Sequence, residues 1–170
     1  MTNGNNLMYD SVHTEKLPQN GRCFMAYSNG RFVNLDAVRA RFPFPKARVF
    51  GIDVLGNNWE EASILDYEIG NIHNPGGLLK WAQNREAFRP QTTVIYCDRT
   101  DLRAVEHTLG NSSNGVWHML LIATLDGTDL TGQRTQAGNL IVGTQLRGGT
   151  LAAFDTSRVL SEWGLRGVQS

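Results

Sequence analysis

Nothing in this 170-residue chain runs apolar for the eighteen or so residues that a membrane-crossing helix needs, so no segment is expected to insert into a bilayer. Charge of one sign is missing too: sixteen basic and sixteen acidic residues give a net charge of zero, and neither sign gathers into a block. That balance excludes the electrostatic footprint of nucleic-acid binding. With only two cysteines, Cys23 and Cys97, each inside an apolar run, a disulfide scaffold is excluded and buried thiols are expected. Residues Met1 to Asn6 are polar and uncharged, lacking the basic patch and apolar stretch of a signal peptide. Synthesis in the cytoplasm is therefore expected, and a substrate beyond it would be reached by a separate route. No phosphate loop surrounds Gly76-Gly77, no serine sits in a nucleophile elbow, no spaced acidic calcium loop occurs, and His13, His73, His107 and His118 lack zinc spacing.

What is present is a short apolar run ending in polar or acidic residues, repeated along the chain. Eight such runs read as buried strands: Leu7 to Ser11, Cys23 to Tyr27, Arg48 to Val54, Ser63 to Glu68, Thr93 to Cys97, His118 to Ala123, Asn139 to Gln145 and Ala152 to Ser157. Helical spacing links Leu35, Val38 and Phe42, then Leu78, Leu79, Ala82 and Phe88, then Leu102, Val105 and Leu109. Asn34, Asn74 and Thr100 suit N-caps, Pro75 a first helical position, and Gly110 a C-terminal stop. At 41% hydrophobic the chain is sized for one core, a single domain over 1–170. Strands alternating with helices favour parallel pairing. A full eight-fold barrel uses about 250 residues. The expectation is a compact, irregular TIM-like β/α barrel of about eight strands with reduced helices; the last two strands could instead form a hairpin. An open α/β sheet is the alternative.

In parallel barrels chemistry collects at the C-terminal strand ends. There the chain places Tyr9, Asp10 and Ser11 on the first strand, Asp53 on the third, Asp66 and Glu68 on the fourth, Tyr96 with Asp98 on the fifth, Gln145 on the seventh and Asp155 on the eighth. Asp66 and Glu68 are two apart on a strand, so both face one side. Such a pair suits protonation of a leaving group and stabilisation of developing positive charge, the needs of glycosidic cleavage. Each acid alone could equally cap a turn or face water. Asp10, Asp53, Asp66, Glu68 and Asp155 together could also offer hard oxygen ligands to magnesium or calcium.

Taken in order, Tyr9-Asp10-Ser11, Leu65-Asp66-Tyr67-Glu68, Ile95-Tyr96-Cys97, Ile122-Ala123, Thr144-Gln145 and Phe154-Asp155 resemble the family-25 glycoside hydrolases, the Chalaropsis-type lysozymes. The likeness is greatest to short actinobacterial and phage glycoside hydrolase-like proteins. The resemblance implies cleavage of the β-1,4 bond between N-acetylmuramic acid and N-acetylglucosamine in peptidoglycan, without cofactor or metal, reached through phage lysis or a virion. By position it implies Glu68 as general acid, Asp66 as the group that holds the substrate's N-acetyl or stabilises the oxocarbenium centre, and Asp10 and Asp155 as acids tuning that pair. Tyr96 and Gln145 match sugar-subsite residues, and Asp53 and Tyr9 are expected to join them in binding substrate. Leu121 and Leu146 stand where the family usually has aromatics, which leaves Trp59, Trp117, Tyr9 and Tyr27 as alternative sugar platforms. A noncatalytic glycan-binding or virion protein that keeps the fold is the other reading.

Overall fold

The computed structural model describes residues 7–111, 113–124, 126–147 and 154–160. Eight strands close into a barrel in chain order: β1 (Leu7–Asp10), β2 (Cys23–Tyr27), β3 (Arg48–Asp53), β4 (Ala62–Asp66), β5 (Val94–Asp98), β6 (Met119–Ala123), β7 (Ile141–Arg147) and β8 (Asp155–Val159). Neighbours from β1 to β7 are parallel, whereas β8 is antiparallel to both β7 and β1. The short link 148–154 explains the reversal, since a parallel return needs a crossover of a dozen or more residues. The antiparallel pairing of β7 and β8 is the hairpin arrangement that the sequence left open. Residues 152 and 153, expected to open the last strand, lie outside the described residues.

Among the described residues α-helices occupy three of the crossovers, α1 (Leu35–Arg41), α2 (Pro75–Phe88) and α3 (Leu102–Leu109), and a short 3-10 turn, Thr14–Lys16, lies between β1 and β2. Asn74 caps α2 as expected, its side chain accepting from Gly77 N at 2.7 Å with Pro75 in the first turn. Asn34 precedes α1 without capping it. Its Oδ1 accepts from Tyr27 N at 2.9 Å and its Nδ2 donates to Ser11 O at 2.7 Å, tying the ends of β1 and β2 together. At α3 the N-cap position falls to Asp101 rather than Thr100, because the Asp98 carboxylate collects Thr100 N at 2.6 Å and Asp101 N at 3.0 Å. Gly110 ends α3 at φ 75°, where an L side chain would be strained.

Alternation along each strand sorts side chains into an inner core and outer layers. Met8, Met25, Phe50, Ile52, Ile64, Val94, Leu121, Val142 and Val159 fill the barrel. Outside it, Leu65, Tyr67, Ile95, Leu120 and Ile122 pack against Leu78, Trp81 and Ala82 of α2 and Val105 and Leu109 of α3. Leu35, Val38 and Phe42 of α1 lie on Phe24 and Ala26, with Phe24 and Phe42 stacked at 4.0 Å. At Gly51 a Cβ would meet Glu61 O at 2.7 Å, so only glycine permits the close approach of β3 to the start of β4, where the register shifts. Cys23 and Cys97 are free and buried on opposite sides of the barrel wall, Cys23 inside and Cys97 outside. No described helix is long and apolar enough to cross a membrane.

Candidate active site at the rim of the barrel

Parity decides which strand-end residues meet. On β1, Met8 points inward and therefore Asp10 does; on β4, Ile64 points inward and Asp66 follows two residues on, while Glu68, expected within the strand, stands two residues past its end and still lines the pocket. Strand β8 brings Asp155 to the same rim although it begins the strand, because an antiparallel strand starts where its parallel neighbours finish. Asp10 and Asp155 are directly paired in the β1–β8 register, so their Cβ atoms are about 5 Å apart. Tyr27, Tyr96 and Gln145 complete a pocket of about 100 Å³, floored by Met25, Ile52 and Ile64 and walled by these four acids. That is the space of roughly three waters, enough for one substituent of a sugar and too little for a chain of rings.

Two expected members stand elsewhere. Asp53 follows inward-facing Ile52 and so points outward, fully buried under α2. Its Oδ2 accepts from Trp81 Nε1 at 2.8 Å and Asn58 N at 2.6 Å, and its Oδ1 from Asn29 Nδ2 at 2.7 Å, Leu55 N at 3.0 Å and Gly56 N at 2.6 Å. It organises the β3–β4 loop and does not line the pocket. Asp53→Ala is expected to destabilise the fold by about 3 kcal/mol or more, since several buried donors lose their acceptor; a urea unfolding curve within about 1 kcal/mol of wild type contradicts that role. Tyr9, between inward Met8 and Asp10, packs outside on Phe24 and edge-on to Phe154 at 5.4 Å. Of the four aromatics expected to replace missing sugar platforms, only Tyr27 lines the pocket; Trp59 and Trp117 pack against core clusters. Leu121 lies in the barrel interior. Tyr27 is thus the pocket residue that strand-end reasoning left unassigned, although it ends β2 on the same rim.

Among the described residues no basic side chain lines the pocket, so the acids face one another. Burial, then the charges of Asp155, Asp66 and Glu68, push the Asp10 carboxyl from 3.8 to about 8. Burial raises Asp66 to about 6 against a hydrogen bond from Asn71, and its Oδ1 is buried without a partner among the described residues. Glu68 is raised to about 7, by burial first and then by Asp66, while a hydrogen bond from Tyr96 works the other way. The Tyr96 hydroxyl also lies 2.5 Å from Gln145 Oε1. Burial and the surrounding carboxylates drive the Tyr27 and Tyr96 phenols upward, which keeps both as hydrogen-bond donors. No group of three or more His, Cys, Asp or Glu among the described residues has the geometry of a metal site. His118, expected to pack at the head of β6, is buried with Nδ1 2.7 Å from Val116 O, and His107 is exposed on α3.

Around the mouth stand exposed apolar side chains from the loops after β1 to β4: Val12, Phe32, Val33, Leu55 and Ile69.

No family model and no curated sequence matches this chain. Among solved structures it is similar to a muramidase from Trichobolus zukalii, at a TM-score of 0.59 over 91% of this chain and 93% of that one, with 8% sequence identity. At so low an identity the likeness is one of fold, and the barrel described above is the architecture the two chains share.

Proposed function

We propose that this chain is a muramidase-type glycoside hydrolase that cleaves the β-1,4 bond between N-acetylmuramic acid and N-acetylglucosamine in peptidoglycan. The observation that carries the proposal is the convergence of Asp10, Asp66, Glu68 and Asp155 from three strands onto one shielded pocket, with Glu68 held near neutrality. The fold shared with a muramidase and the order of the family-25 fragments along the chain support it.

Glu68 is the general acid. Raised to about 7, it keeps its proton at mildly acidic pH and delivers it to the glycosidic oxygen as the bond to the anomeric carbon breaks. Asp66 titrates about one unit lower and is the member of the pair that ionises first. Its unpartnered Oδ1, after a small side-chain rotation, suits the N–H of the substrate's acetamido group, whose carbonyl oxygen then closes on the anomeric carbon. The pocket's size fits that single substituent. Water next adds to the anomeric carbon, the carbonyl oxygen leaves it, and the water's proton passes to the Glu68 carboxylate, restoring the starting state. Asp10, neutral up to about 8, donates a hydrogen bond without adding charge, and Tyr96 and Gln145 fix the orientation of Glu68. The remaining sugars lie across the apolar rim, with Phe32 the exposed aromatic there.

The test is product analysis. Purified protein incubated with peptidoglycan is expected to generate new reducing ends that are muramic acid, with or without EDTA. Glucosamine reducing ends would overturn the bond assignment, and EDTA-sensitive cleavage restored by magnesium would overturn the metal-free chemistry. Binding with no new ends of either kind would leave a noncatalytic glycan-binding protein.

A further inference from the structure

A second cavity lies at the other end of the barrel, where β3 and β4 begin. It is a groove of about 880 Å³ between the α1–β3 connection, the start of β4 and the C-terminal turn of α2. Drug-sized ligands occupy cavities of this order. Four arginines line it, Arg39, Arg48, Arg85 and Arg89, against two glutamates, Glu60 and Glu61, which leaves a surplus of two positive charges. Exposed Phe44 and Pro43 add an apolar flank.

Arg85 is the unusual member, with only 2% of its surface exposed. Its Nε donates to Thr92 Oγ1 at 3.1 Å, and its Nη1 to the carbonyls of Trp59 at 2.8 Å and Glu60 at 3.3 Å. These neutral acceptors bring no negative charge. Among the described residues no carboxylate is within ion-pair distance of it, and Nη2 has no hydrogen-bond partner. Glu86, next in the chain, is engaged elsewhere, accepting from Gln91 N at 3.0 Å and Thr93 Oγ1 at 3.2 Å. A buried guanidinium is ordinarily matched by an anion, because desolvating an unmatched charge costs several kcal/mol. Burial, followed by the like charge of Arg89, lowers Arg85 to about 10, and the charge of Glu86 only partly offsets the two.

We propose that this groove binds an organic oxyanion, a phosphate or carboxylate carried on an aromatic or apolar group. The planar fork of a guanidinium matches either headgroup. Arg85 at the wall and Arg39 and Arg89 toward solvent hold the charge, while Phe44 and Pro43 cover the apolar part. The site stands apart from the acid-lined pocket and needs none of its residues.

Calorimetric titration of the full chain with inorganic phosphate, phenyl phosphate and benzoate at fixed ionic strength tests it. One saturable site is expected, with phenyl phosphate about 10-fold tighter than inorganic phosphate through the buried ring. The tighter of phenyl phosphate and benzoate identifies the headgroup. Arg39→Gln and Arg89→Gln, at positions exposed enough to leave the fold intact, are each expected to weaken binding by about 5- to 10-fold. Glu61→Gln should strengthen it, and Glu68→Gln at the opposite rim should leave it unchanged. No saturable binding of any of the three probes, or binding indifferent to both arginine substitutions, overturns the proposal.

Discussion

Replacing Glu68 by Gln is expected to reduce peptidoglycan hydrolysis by about a thousand-fold, the middle of the range for removing a positioned general acid. Gln keeps the shape of the side chain and can still meet the Tyr96 hydroxyl, so the barrel and the melting temperature should survive. What disappears is the proton. Wild-type hydrolysis is expected to follow a bell in pH, its acid limb from the ionisation that leaves Asp66 charged, near 6, and its alkaline limb from loss of the Glu68 proton, near 7. Because the acids interact, these limbs belong to the cluster rather than to single residues. The optimum should therefore be narrow and mildly acidic, and the variant's residual rate should lack the alkaline limb. A Glu68→Gln protein that retains wild-type turnover, or a wild-type profile flat across this range, removes Glu68 from the role of acid.

The second large effect concerns stability. Asp10 titrates at about 8 when folded and near 3.8 when unfolded, so the folded chain binds the extra proton between those values. Its contribution to stability is fully present below about pH 4 and is progressively lost as pH rises towards 8. Asp66 and Glu68 have the same sign over narrower windows, ending near 6 and 7. Wild-type stability should fall from pH 4 to pH 8. Asp10→Asn keeps a neutral side chain of similar shape and is expected to gain about 4 kcal/mol near pH 7 and nothing near pH 3, at about 1.4 kcal/mol per unit. Urea midpoints of both proteins across that range decide the matter: parallel curves would mean that the cluster is far better solvated than its burial implies.

Much of this arrangement was legible in the chain. Short apolar runs ending in polar or acidic residues marked all eight strands, and the short segment before Asp155 left a hairpin open. The misplacements share one cause. Tyr9 and Asp10 are adjacent on a strand, so only one of them can face the pocket, and Met8 in the barrel core assigns that place to Asp10. Asp53 fails by the same parity, set by Phe50 and Ile52. Position at a strand end selects candidates; the side of the sheet selects among them. That side is hard to read where the ladder slips, as it does between Gly51 and Ile52 and again between Leu120 and Leu121. The direction of β8 decided where Asp155 falls, and it follows from a link too short for a crossover. Asp98 was misleading for another reason, since its carboxylate is taken up by the turn that starts α3.

The seam between β1 and β8 joins the two most distant strands of the described barrel. Local order along the chain can assemble β2 through β7, but Asp10 and Asp155 become neighbours only when that most non-local ladder zips up, a late and slow kind of event in folding. A partly folded chain therefore holds the proton donor without the acids that tune it. Competence for chemistry and completion of the wall arrive in the same step.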